Sequence, residues 1–91
     1  MKLNVYSVFD KAAKVFSPAF NAQNNAVALR MFDSACKNPD TQVAKYPQDY
    51  ELYLLAEWDD NTGEYKNITP VQRIIQACEM LPQEVKNGGK K

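Results

Sequence analysis

Between Tyr46 and Tyr65 a tyrosine- and leucine-rich run enters Asp59-Asp60-Asn61-Thr62-Gly63-Glu64 and returns as Tyr65-Lys66-Asn67-Ile68. Extended runs joined by so short a turn pair with each other, so this stretch commits the chain to a β-hairpin and leaves the other segments to cover it. Gly63 stands where a three-residue connection needs a positive φ. On an unbroken pleat Tyr50, Leu52, Leu54, Ala56 and Trp58 share one face, while Glu51, Tyr53, Leu55, Glu57 and Asp59 share the other. The second face is only half polar, and is expected to meet a helix, a second copy of the chain or a ligand as well as water.

The flanking segments supply the rest of one domain. Leu3, Val5, Ser7 and Phe9 alternate with Asn4, Tyr6, Val8 and Asp10, a pattern that suits a strand. After a turn at Lys11 to Ala13, residues 14–17 and then Ala19-Phe20 return as a second strand broken at Pro18, which belongs at an edge or a bulge. Asn24 is a cap for a helix over about 25–37, with Ala28, Leu29, Phe32, Ala35 and Cys36 on its apolar face. Asn38-Pro39 ends that helix, because a residue before proline avoids helical geometry. Thr69, Pro70 and Gln72 read as the capping box of a second helix, whose apolar stripe is Val71, Ile74, Ile75, Cys78 and Leu81. The expected fold is α+β, a four-stranded, mainly antiparallel sheet with two helices on one face in the order ββαββα. It forms a single domain over 1–82, followed by a flexible basic tail over 83–91.

Composition narrows the chemistry. With 91 residues and 45% apolar content the chain can bury one core. Eleven basic and eleven acidic side chains leave no net field to draw in polyanions. The charges are unevenly spread: 1–48 carry an excess of three positive charges and the remainder an equal negative excess, and a dipolar chain of this kind can pair head to tail with itself. The absence of histidine removes the commonest general base and metal ligand, and the three glycines form no phosphate-cradling loop. An enzyme, a cofactor and a metal site are therefore not expected. The six carboxylates in and around the hairpin match no cation-loop spacing and read as a solvated acidic surface. Cys36 and Cys78 are far apart in sequence and read as buried free thiols. No signal-peptide core and no apolar run near membrane-spanning length is present.

Basic side chains interleaved with rings are what a single-stranded nucleic acid needs, because cations track its backbone while rings stack on its bases. The first strands hold such a set in Lys2, Tyr6, Lys11, Lys14 and Phe16, with Phe9 and Phe20 beside them. Each of the phenylalanines, taken singly, reads more readily as core, and only a ring on the open face can stack. Tyr6, opposite in phase to Leu3, Val5 and Phe9, is the preferred stacking ring. Arg30, Lys37 and Lys45 extend the set if they are not merely solvated, and Lys90 and Lys91 add a basic tail. The competing reading is a protein-interaction adaptor that docks through Glu51, Tyr53, Glu57 and Asp59 of the acidic hairpin.

Leu3-Asn4-Val5-Tyr6-Ser7-Val8-Phe9-Asp10, Pro18-Ala19-Phe20, Ala28-Leu29-Arg30-Met31-Phe32, Asn38-Pro39-Asp40, Tyr46-Pro47-Gln48-Asp49-Tyr50 and the Asp59 to Glu64 loop follow one another in a characteristic order. In that order and spacing, over about 2–81, the chain resembles the small nonstructural protein of gokushoviruses, tailless single-stranded DNA phages of the Microviridae. The resemblance implies a protein of the host bacterial cytoplasm that binds single-stranded DNA and acts at the switch from duplex replication to single-strand synthesis and packaging. It supplies no binding residues. A homodimer is expected, with single-stranded DNA and phage replication or assembly proteins as candidate partners and no membrane.

Overall fold

The computed structural model describes residues 1–80. The elements are β1 (Lys2–Asp10), β2 (Val15–Phe16), β3 (Phe20–Ala22), α1 (Asn25–Lys37), α2 (Gln42–Lys45), β4 (Tyr50–Asp59) and β5 (Tyr65–Gln76). Short 3-10 turns at Pro47–Asp49 and Ala77–Met80 precede β4 and follow β5. All strand pairs are antiparallel, in the order β2-β1-β4-β5, with β3 beside β2 on the outer edge of β1. The fold is α+β as expected. The sheet has five strands where four were expected, because Pro18 divides the second strand into β2 and β3.

Local chemistry accounts for most of the boundaries. Asn24 caps α1, its side-chain oxygen accepting from the Val27 N–H at 3.0 Å, and Ala28, Phe32 and Cys36 bury one stripe. Asn38 turns extended at the other end. At the β4–β5 connection Gly63 takes a φ of 78° and its N–H reaches the Asp59 carbonyl at 2.7 Å, with Asp59 Oδ1 accepting from the Asn61 N–H. The Lys11 to Lys14 turn is tied by Asp10, which accepts from the N–H groups of Ala12 and Ala13 through Oδ1 and of Lys14 through its carbonyl. Lys14 closes that turn at φ 60°.

The expected helix over 69–81 does not form in the described residues. Residues through Gln76 belong to β5, whose pairing with β4 is interrupted twice. Four residues, Ile68 to Val71, bulge opposite Leu55 alone, and Ile74 is a second extra residue between the partners of Leu52 and Tyr53. These bulges destroy the period of two and leave apolar side chains at helix-like intervals, while Pro70 is tolerated because β5 is an edge strand. Leu81, and the expected basic tail over 83–91 with Lys90 and Lys91, lie outside the described residues.

The core lies between the sheet and the helices. Tyr6, Ala22, Leu52 and Leu54 meet Ala28, Phe32, Cys36 and Ala77. Burying a large apolar side chain of this kind contributes roughly 1.5–3 kcal/mol. Burial also holds the Cys36 thiol neutral, its pKa pushed up to about 11 with the nearby Asp33 carboxylate assisting. Beyond this core the hairpin runs on as an arm, giving the molecule extents of 52 × 27 × 24 Å.

Candidate functional site

The phase of β1 decides which side chains the helices leave uncovered. Tyr6 faces the helices: it is fully buried, stacks on Phe20 at 5.8 Å, donates to Asn25 Oδ1 at 2.5 Å and accepts from Asn4 Nδ2 at 3.0 Å. It is therefore a core residue and not an open-face ring, which corrects the expectation from sequence. The opposite phase, Leu3, Val5, Ser7 and Phe9, lies on the face that bears none of the helices of the described residues. β4 changes phase within its length. Val5 pairs with Ala56 but Tyr6 with Leu54, so Leu55 is an extra residue and everything beyond it is turned over. Ala56 and Trp58, expected beside Leu52 and Leu54, consequently share the helix-free face with Tyr53.

At one end of that face Phe9, Phe16 and Tyr53 form a ring cluster. The Phe9 and Phe16 centroids are 4.7 Å apart, and Tyr53 meets both edge-on at 6.0 and 5.5 Å. Phe16 remains 41% exposed, so the cluster offers a ring to a ligand. Beneath it sits Glu51, only 8% exposed. Its Oε2 accepts from Arg73 Nε at 2.7 Å and lies 3.8 Å from Lys11 Nζ, and the Tyr53 hydroxyl points to its Oε1 at 3.4 Å. Arg73 Nη2 also reaches Glu79 at 3.3 Å, while the Gln76 N–H donates to the same Glu79 oxygen. The guanidinium is thus fixed by two carboxylates, chiefly through its hydrogen bond to Glu51, which raises its pKa further. Burial and then the Glu51 charge raise the Tyr53 pKa, keeping the phenol protonated. Glu79 is held below its ordinary value of 4.5, first by the Gln76 N–H and then by Arg73.

Among the residues singled out from sequence, Lys11, Phe16, Glu51 and Tyr53 converge here, and Lys14 lies in the turn that leads into β2. Lys2 stands at the far end of β1, beside a cleft of about 190 Å³ lined also by Glu57, Trp58, Asp59, Tyr65 and Lys66. Arg30 and Lys37 are exposed on α1, where Lys37 pairs with Asp33 at 3.0 Å, and Lys45 ends α2. The basic set is thereby divided between the ring cluster, the hairpin arm and the helical layer. The acidic set is divided too: Glu51 is locked beneath the rings, whereas Glu57 and Asp59 pair with Asn4 and Lys2 on the other face of the arm. Arg73 is hidden in the sequence because its segment reads as helix, and Phe9 because its phase reads as core.

No group of three or more metal-ligating side chains and no helix long and apolar enough to cross a membrane occurs among the described residues. Neither the curated proteins nor the solved structures contain a match to this chain. A family model described as Phage ORF5 protein matches residues 3–80, nearly the whole described chain and every element of the sheet. By that match the chain belongs to the phage ORF5 protein family.

Proposed function

We propose that this phage protein is a non-enzymatic binder of single-stranded DNA, and that it works in the host cytoplasm at the switch from duplex replication to single-strand synthesis and packaging. The gokushovirus resemblance supports the stage at which it acts. The observation that carries the binding is Phe16, a half-exposed ring seated on Phe9 and Tyr53, with Lys11 and Arg73 held at the Glu51 carboxylate beneath the rings and Lys14 in the turn two residues before it. A base splayed from a single strand can stack on that ring while the cations take the adjoining phosphates, whereas a base inside a duplex has no free face to offer. Because Glu51 offsets part of the local positive charge, stacking supplies most of the affinity and sequence preference is weak.

Fluorescence anisotropy with a labelled oligothymidylate over a salt series tests this reading. Binding is expected at low salt, with a log–log salt slope of about −2 from three cations at roughly 0.7 each. Phe16→Ala is expected to weaken it about fivefold or more. No binding at low salt refutes the proposal.

A further inference from the structure

We infer that the ring pair Trp58–Tyr65, at the other end of the helix-free face, is a second stacking station for the same strand; the inference rests on the single-strand reading above. Leu3 pairs with Trp58 and Trp58 with Tyr65, so all three share the face of Phe9, and the two rings lie 6.2 Å apart at 35°. Tyr65 is 64% exposed, more than any other large apolar side chain of the described residues. Tyr53 and Trp58 are an odd number of residues apart and would point to opposite faces on a regular strand. The Leu55 bulge brings them to one face, the re-aiming for which such bulges are used.

Between the stations lie Val5, Ser7 and Ala56, small and closed to water, with the Ser7 hydroxyl satisfied by the Ser17 carbonyl at 2.7 Å. From Phe9 to Leu3 is six residues, about 20 Å at roughly 3.3 Å each. That span matches about six nucleotides stacked at roughly 3.4 Å per step, and fewer if the strand is stretched. The two stations differ in charge. Lys11 and Arg73 serve the first, whereas the cleft at the second sets Lys2 and Lys66 against Glu57, Asp59 and Glu64, so the second station contributes stacking with little salt dependence.

The experiment compares the wild-type chain with Tyr65→Ala on oligothymidylates of about three and about ten nucleotides. Tyr65 is exposed and outside the core, so its truncation leaves the fold intact, and Tyr65→Phe serves as a ring-retaining control. The expected result is about fivefold or greater loss on the long oligomer only, an unchanged salt slope, and recovery with phenylalanine. Equal loss on both lengths, or none on the long one, overturns the second station while leaving the first intact. Failure of the wild type to bind either oligomer overturns both.

Discussion

The two faces of one sheet use aromatic side chains in opposite ways. On the helical side Tyr6 is fully enclosed, its hydroxyl occupied by Asn4 and Asn25, and Leu52 and Leu54 interlock with Ala28 and Phe32. On the helix-free side Phe9, Phe16 and Tyr53 lean on one another, Phe16 remains 41% exposed, and an acid is buried under them to hold an arginine. A ring in the first setting stabilises the fold and is inaccessible. A ring in the second contributes less to stability and keeps a surface for a ligand. The difference follows from strand phase, so changes to the two faces should separate stability from binding.

The largest separation is expected from Leu52→Ala, which empties a fully buried site and should cost about 2–5 kcal/mol in a denaturant titration. A cost below about 1 kcal/mol would mean that the helical face is not the core. Tyr6→Phe should cost about 1–2 kcal/mol, since it strands the Asn4 and Asn25 amides. Phe16→Ala, by contrast, should cost under about 1 kcal/mol in stability while impairing oligonucleotide binding, the reverse of the core pattern. Glu51→Gln sharpens the comparison further: it frees Lys11 and Arg73 from a carboxylate and should tighten binding two- to fivefold, roughly, with a steeper salt slope.

The smallest effect is a matter of pH. Glu79 has a folded pKa below 4.5, so its contribution to stability is complete above that value and is lost as pH falls through the folded pKa. Thermal melts should therefore decline more steeply below about pH 4.5 for the wild type than for Glu79→Gln. Parallel acid limbs would show that the Gln76 and Arg73 contacts carry no net stability.

Much of this architecture is legible in the residues. The Asn24 cap and the 28, 32, 36 stripe define α1, Gly63 marks the tight connection, and Pro18 announces the broken edge strand. Two features are not legible, for physical reasons. β1 is apolar in both phases, because Tyr6 and Val8 pack toward the helices while Val5 and Phe9 line the other face, so alternation alone cannot say which set is covered. The bulges at Leu55, Ile68 to Val71 and Ile74 break the period of two in both hairpin strands. Around Thr69 that interruption coincides with a Thr-Pro-x-Gln pattern that reads equally well as a helix start, and pairing with the free edge of β4 prevails over it. Half of the candidate site is legible: Lys11, Lys14 and Phe16 stand out in the sequence, whereas the phase of β1 hides Phe9 and the helix-like pattern over 69–81 hides Arg73.

The most direct test of face-specific binding is a backbone amide chemical-shift titration of the labelled protein with an oligothymidylate. The account predicts perturbations at Phe9, Phe16, Tyr53 and Arg73, with Ala28 and Phe32 of α1 unmoved. Shifts confined to α1 around Arg30 and Lys37, with the ring cluster silent, would contradict it.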